Sequence, residues 1–151
     1  MKKYILLTLV ILWMCVIFYF SNMVSYKSDE TSDEVIDSTV LKVSKFFKKD
    51  LTKEQENNIY RYSVYPVRKY AHVFEYFVLY VLVFLYLDCY KMSLKNKLIS
   101  ALVISILYAC SDEVHQLFVE GRDGRFIDVI IDSFGSFIGL VLCYFLKKKK
   151  V

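Results

Sequence analysis

Four short segments of the sequence hold most of the side chains that could bind an ion, move a proton or grip an anionic group. Two of these segments carry the histidines of the chain, His72 and His115, each with a carboxylate within three residues. Imidazole and carboxylate groups placed so close together are suited to general acid/base work and to metal binding. The residues that we single out are Arg68, Lys69, His72, Glu75, Tyr76, Asp112, Glu113, His115, Gln116, Arg122, Asp128 and Asp132.

One interpretation of these residues is general acid/base catalysis on a lipid-linked phosphate, in which basic side chains hold the anionic headgroup and others move a proton. The sequence lacks the signature blocks of the membrane phosphatases, and no serine occupies a nucleophile turn. The catalytic residues, if any, are therefore left open. The candidates for proton transfer are His72, Glu75, Asp112, Glu113 and His115, and those for headgroup binding are Arg68, Lys69, Arg122 and Arg125.

A second interpretation is a metal site. The pairs His72-x-x-Glu75 and Glu113-x-His115 would supply its nitrogen and oxygen ligands. Nearby Arg and Lys side chains would compete with a cation, however, and no thiolate is close. We therefore expect no metal and no other cofactor. Structural ion pairing explains the same residues without any ligand, and this explanation is strongest for Asp128 and Arg125 and weakest for Glu75.

The elements that must position these residues are membrane helices, because the composition is too apolar for an ordinary soluble domain. The 151 residues are 56% hydrophobic with a mean hydropathy of +0.37, and they include only one Pro and four Gly. Long uninterrupted helices are therefore permitted. The four Cys have no spacing typical of a disulfide frame or a zinc knuckle. We predict an all-α fold, an integral membrane bundle of four transmembrane helices.

Two of the predicted membrane helices have uncharged cores shorter than the roughly 20 residues that cross a bilayer. The third must therefore continue forwards through Asp112, and the fourth must extend backwards through Asp132. These acidic residues are thereby drawn into the edge of the membrane. We predict the membrane helices at residues 4–21, 67–87, 95–116 and 126–146, within a single domain that covers residues 1–151.

The lysines at the short flanks predict the orientation. Lys2 and Lys3, the basic connection at 88–97 and the run of lysines at 147–150 alternate correctly for one cytoplasmic side. We therefore predict a multi-pass protein of the cell membrane with both termini in the cytoplasm. The polar residues then gather at the outer-facing end of the bundle.

Residues 22–66, between the first and second membrane helices, are predicted to form an amphipathic helical segment outside the membrane. Residues 31–34 are a capping box, and apolar residues recur after it at helical spacing. This pattern is typical of a helix that lies on the membrane surface. A further helix could start at residues 52–55 and end before Pro66, which opens the second membrane helix.

The spacing of the polar residues places them on common helix faces. His72 and Glu75 share one face of the second helix, and the face of the fourth helix that carries Asp132 continues into Gly135 and Gly139. This small-xxx-small pattern lets a neighbouring backbone approach closely. Because an unpaired carboxylate in lipid costs several kcal/mol, Glu75 and Asp132 should face the interior of the bundle.

Four motifs occur along the sequence in a fixed order. They are Arg68-Lys69-x-x-His72-x-x-Glu75-Tyr76, Asp112-Glu113-Val114-His115-Gln116, Gly121-Arg122 and Asp128-x-x-x-Asp132-x-x-Gly135. In type, order and four-helix spacing the sequence resembles the VanZ-like membrane proteins, from the first helix to the last. It departs from the family pattern at Met23, where Gln is frequent, and at Glu120, where Pro is frequent.

The resemblance implies a role in the bacterial cell envelope, in low-level resistance to teicoplanin-type lipoglycopeptides without a change of the peptidoglycan target. We expect the polar residues to bind a membrane lipid, a lipidated antibiotic or a lipid-linked cell-wall precursor. The alternative is a membrane-embedded enzyme, acid/base or metal-dependent, that acts on a lipid-linked envelope substrate. Nucleic acid is an unlikely class of partner on the sequence alone, because the lysines cluster at segment ends rather than along a groove.

Overall fold

In a computed structural model the chain is a bundle of long helices. The structure describes residues 1–22, 53–119 and 124–149, with side chains for all of these except 53–68. Within them there are four helices and no strand, and each helix contains a stretch long and apolar enough to cross a membrane. The predicted all-α membrane bundle is confirmed, whereas most of the predicted amphipathic segment lies outside the described residues. The helices are α1 (Lys2–Ser21), α2 (Lys53–Leu87), α3 (Leu94–Gln116) and α4 (Phe126–Lys148).

Helix α2 begins well before the stretch that can cross a membrane. It runs without interruption from Lys53 to Leu87, while its apolar part is Lys69–Leu87. The prediction that a helix ends before Pro66 is therefore wrong. A proline inside a helix costs roughly 3 kcal/mol because it removes one hydrogen bond and crowds the preceding turn. The hydrogen-bond ladder of this 35-residue helix continues on both sides of Pro66 and offsets that local cost.

Two glycines allow α4 to pack closely against α2. A Cβ atom at Gly135 would lie 2.2 Å from the carbonyl oxygen of Val73, and one at Gly139 would lie 2.7 Å from Cδ1 of Tyr80. The predicted small-residue packing is confirmed, since no side chain would fit at either position without movement. These two helices share the most extensive contact of the bundle, α3 packs against both, and α1 packs mainly against α2.

The core between the helices is strongly aromatic. Tyr76, Tyr80 and Phe84 follow one face of α2 and are fully buried. The hydroxyl of Tyr80 donates a hydrogen bond of 3.2 Å to the carbonyl oxygen of Leu98 in α3, so that even this deep polar group is satisfied. Many other large apolar side chains point outward, which suits a bundle surrounded by lipid rather than water.

One end of the bundle is held by lysines, and we call the residues Asp88, Lys97 and Lys147 the lysine end. Lys97 donates a hydrogen bond of 2.8 Å to Asp88, and Lys147 of α4 pairs with the second oxygen of the same carboxylate. The hydrogen bonds from Lys147 and Lys97 hold the pKa of the Asp88 carboxyl below its usual value. One carboxylate just past the end of α2 therefore ties α3 and α4 together.

Candidate functional site

The opposite end of the bundle carries the residues with chemical potential. Residues 69–76 of α2, 112–116 of α3 and 124–132 at the start of α4 meet there, and we call these three segments the polar end. Each segment belongs to a helix where it enters or leaves the predicted membrane span. Lys69 of α2 pairs with Asp128 of α4 at this end. This ion pair fixes the start of the apolar part of α2 against the first turn of α4.

His72 lies between two carboxylates. Its Nδ1 atom is 3.8 Å from Oε2 of Glu75, three residues further along α2, and 3.7 Å from Oδ1 of Asp132 in α4. The side chains of His72 and Glu75 are each about 15% exposed, while Asp132 is fully enclosed. An imidazole flanked by two carboxylates can hold a proton or pass it from one to the other.

Three buried carboxylates form the centre of the polar end. One oxygen from each of Asp112, Glu113 and Asp132 lies within 4.8 Å of the other two. The side-chain amide of Gln116 donates a hydrogen bond of 3.1 Å to Asp112, and the backbone N–H of Arg125 donates one of 2.8 Å to Glu113. Within the described part of the chain, this trio is the group of acidic, His or Cys side chains whose spacing could hold a metal ion.

Several buried polar atoms at this end have no hydrogen-bond partner among the residues that the structure describes. A buried polar group without a partner costs roughly 1–3 kcal/mol, and a charged group costs more. Such atoms therefore oppose folding, and clusters of them are typical of sites that bind or react. The buried atoms without a partner include the two carboxylate oxygens of Asp132, Oε1 of Glu113, Nε2 of His115 and the hydroxyl groups of Tyr76 and Ser21.

Two aromatic side chains support this end from neighbouring helices, and the sequence analysis did not single them out. Nε1 of Trp13 in α1 donates a hydrogen bond of 2.9 Å to the backbone carbonyl of Glu75. The hydroxyl of Tyr108 in α3 donates one of 2.6 Å to the carbonyl of Met14. Both lie inside apolar runs, where an aromatic residue carries no signal of its hydrogen-bond partner. That Trp13 is the one tryptophan of the chain was the sole available hint.

Two small residues also shape the site. The hydroxyl of Ser136 is 3.4 Å from the carbonyl oxygen of Asp132 and 3.5 Å from that of Tyr76, so its hydrogen bond bridges α4 and α2. The sequence signal for Ser136 was its place one turn after Asp132, on the same face. Gly124 lies so close to α3 that a Cβ atom there would be 2.5 Å from the carbonyl oxygen of Glu113.

His115 is turned away from the other candidates. Its ring stacks on Phe18 of α1, with ring centroids 4.5 Å apart and the planes inclined by 28°. Residues two apart on a helix point in different directions, so Glu113 can face the carboxylate trio while His115 faces α1. The structure therefore brings together Lys69, His72, Glu75, Tyr76, Asp112, Glu113, Gln116, Asp128 and Asp132, and places His115 at the side of this cluster.

The two remaining candidates are arginines. The side chain of Arg68 and the whole of Arg122 lie outside the described residues. The neighbouring Arg125 contributes its backbone N–H to Glu113 and precedes the first residue of α4. Of the basic side chains suggested for headgroup binding, those of Lys69 and Arg125 are described at the polar end. Lys69 pairs with Asp128, and Arg125 is exposed.

Comparison with known proteins identifies the protein family of the chain. The family model described as VanZ/LLP1 matches residues 6–147, a range that contains the described polar end and the membrane stretches of α2 and α3. Searches of curated proteins and of solved structures returned no match. The family match agrees with the four motifs seen in the sequence and with the four helices that can cross a membrane. This multi-pass membrane protein therefore belongs to the VanZ/LLP1 family.

Proposed function

We propose that the protein lies in the bacterial cell membrane with both termini in the cytoplasm, so that the polar end faces outward. The support is the distribution of lysines. Lys97 and Lys147 occupy the lysine end, Lys148 and Lys149 follow, and short cytoplasmic flanks of membrane helices are rich in Lys and Arg. The polar end then lies at the level of the outer leaflet.

At this level the protein binds a lipid-linked or lipidated ligand, and through that binding it contributes to resistance to teicoplanin-type lipoglycopeptides. The observation that carries the proposal is the convergence of ionisable side chains from α2, α3 and α4 around Asp132. Ionisable residues within membrane segments are costly and are typical of functional sites. Membership of the VanZ/LLP1 family supports the link to teicoplanin through the resemblance already described.

An amphipathic ligand suits the surface around the polar end. Lys69, His72 and Glu75 keep part of their side chains exposed, so a polar headgroup can reach them. Phe118 and Phe126, which flank the connection between α3 and α4, are 82% and 79% exposed. A charged patch beside exposed aromatic rings complements a molecule that has both a polar head and an acyl chain.

The proposal is tested by expressing the chain in a susceptible bacterium and measuring inhibitory concentrations. We expect the value for teicoplanin to rise more than the value for vancomycin, because the lipid chain of the antibiotic is part of what is recognised. Glu75→Gln and His72→Ala should abolish the difference. The control Leu107→Ala changes a lipid-facing residue of α3 and should retain it. Immunoblots of the membrane fraction verify equal insertion.

Two results would contradict this role. One is an equal response to teicoplanin and vancomycin in cells that contain the inserted protein. The other is full resistance in both Glu75→Gln and His72→Ala, which would mean that the charges at the polar end are not part of the binding.

A membrane-embedded enzyme is the second candidate, and the position of His72 between Glu75 and Asp132 favours it. In this case the imidazole of His72 takes a proton from a lipid-linked substrate. One of the two neighbouring carboxylates orients the imidazole ring. Binding of labelled teicoplanin to the purified protein in nanodiscs separates the two candidates. If the wild type binds teicoplanin and His72→Ala loses both binding and resistance, the binding role holds. If the wild type confers resistance without binding teicoplanin, and His72→Ala abolishes that resistance, the enzyme is supported.

A further inference from the structure

We propose that Asp112, Glu113 and Asp132 hold a divalent cation, and that this cation is Ca²⁺. The three side chains come from the end of α3 and the start of α4, and one oxygen of each lies within 4.8 Å of the other two. Carboxylate oxygens are the ligands that hard divalent cations prefer. The cation lies at the centre of the same polar end that the proposed ligand binding uses, but its binding is measured with Ca²⁺ alone, so that either proposal can fail without the other.

The number of carboxylates favours Ca²⁺ over Mg²⁺. Ca²⁺ takes several carboxylate oxygens in a flexible geometry, whereas Mg²⁺ keeps much of its water and is usually held through one or two carboxylates. One oxygen from each of three buried carboxylates lies in the same place here. This set of ligands therefore suits Ca²⁺.

A separate observation comes from α2. The hydroxyl of Tyr76 is completely buried and has no hydrogen-bond partner among the described residues. It lies close enough to Asp112 and Asp132 to interact electrostatically with both of these carboxylates. Asp132 is only 1% exposed, and neither of its oxygens accepts a hydrogen bond within the described part of the chain. A bound cation satisfies those oxygens, and a water molecule in its shell gives the Tyr76 hydroxyl a partner.

The competition expected from Lys69 is reduced by its contact in the structure. Its ammonium group pairs with Asp128, which is not one of the three carboxylates. His72 approaches Asp132 at 3.7 Å, which is longer than a hydrogen bond. Three ionised carboxylates this close to one another repel strongly, and either a bound cation or the uptake of protons relieves that repulsion. The experiment must therefore separate these two solutions.

The test measures binding of Ca²⁺ alone to the purified full-length protein in detergent, by equilibrium dialysis after removal of divalent cations with EDTA. We expect stoichiometric binding to the wild type. Asp132→Asn preserves the shape of the side chain and should weaken the affinity about tenfold or more, since even changes in supporting residues cost that much. Asp88→Asn, a matched change at the lysine end, should bind Ca²⁺ as the wild type does.

Thermal unfolding gives a second readout that does not require tight binding. Ca²⁺ should raise the melting temperature of the wild type and of Asp88→Asn but not of Asp132→Asn. In EDTA, Asp132→Asn should melt no lower than the wild type, because it removes a buried charge. If Asp132→Asn does not fold, Glu113→Gln replaces it in both measurements.

Two results would overturn the cation site. The first is a wild type that binds no stoichiometric Ca²⁺ and melts at the same temperature in Ca²⁺ and in EDTA, which indicates carboxyl groups that share protons. The second is a variant that loses a carboxylate of the trio and still binds Ca²⁺ with wild-type affinity.

Discussion

The Nδ1 atom of His72 lies 3.7 Å from the Oδ1 atom of Asp132, and this contact joins α2 to α4 in the middle of the polar end. One turn further along α4, Gly135 meets the backbone of Val73, the residue next to His72. The close approach of the two helices and the meeting of their polar side chains therefore depend on the same faces.

Gly135→Ala should destabilise the bundle by about 1–3 kcal/mol, because the added methyl group meets a backbone atom that cannot turn aside. The free energy of unfolding in detergent, or the melting temperature, measures this loss. Gly139→Ala is the matched control, since its methyl group meets the ring of Tyr80 instead of a backbone atom. We expect a smaller loss there. Equal stability of Gly135→Ala and the wild type would show that the helices are not in close contact.

Trp13→Phe should lower the free energy of unfolding by about 1 kcal/mol. The variant keeps an aromatic ring but removes the hydrogen bond from Nε1 to the carbonyl of Glu75. Because Trp13 is the single tryptophan, unfolding must be followed by circular dichroism rather than fluorescence. Phe145→Leu, a change at an exposed aromatic residue of α4, is the comparison and should leave stability unchanged. A Trp13→Phe variant as stable as the wild type would argue against α1 supporting the site.

The stability that the lysine end contributes to the fold should decrease in acid. The pKa of Asp88 is lowered by hydrogen bonds from Lys147 and Lys97. The stability that this carboxylate contributes is therefore full above its pKa in the unfolded chain, and it is lost as pH falls through its lower pKa in the folded state. Melting temperatures of the wild type and of Asp88→Asn should differ at neutral pH and converge below a pH of about 4. A difference that stays constant with pH would contradict this role for Asp88.

The ion pair between Lys69 and Asp128 should be replaceable by its reverse. Lys69→Asp leaves two acidic groups facing each other, and Asp128→Lys leaves two basic groups, so each single change should lower the melting temperature. The double variant restores opposite charges and should recover part of the loss. We expect an incomplete recovery, because the surroundings of each position fit the native side chain rather than the exchanged one. If the double variant is as unstable as the sum of the single ones, the two residues do not interact.

The sequence predicted most of the architecture, because the membrane imposes strong limits. Apolar runs of membrane length must be helices, and the lysines near Lys97 and Lys147 mark one end. The spacing of His72 and Glu75 on α2, and of Asp132 and Gly135 on α4, correctly indicated the faces that meet. These features depend on local periodicity alone.

Other features could not be read from local patterns. The sequence signal of Pro66 favours a helix end, but the helical turns on both sides of it continue without interruption. The hydrogen bond of Trp13 crosses between helices that are far apart in sequence, and its apolar surroundings hide it. The direction in which His115 points depends on the packing of α1 against α3, which brings Phe18 over its ring.

The most direct test of the central claim is a disulfide crosslink between positions 72 and 132 in native membranes. His72→Cys and Asp132→Cys are combined in a chain whose four native cysteines are replaced by serine. Mild oxidation should produce the crosslink in this pair and not in a control pair of His72→Cys with Lys147→Cys, whose second residue lies at the lysine end. Failure of the 72/132 pair to crosslink, or equal crosslinking of the control pair, would contradict the meeting of α2 and α4 at the polar end.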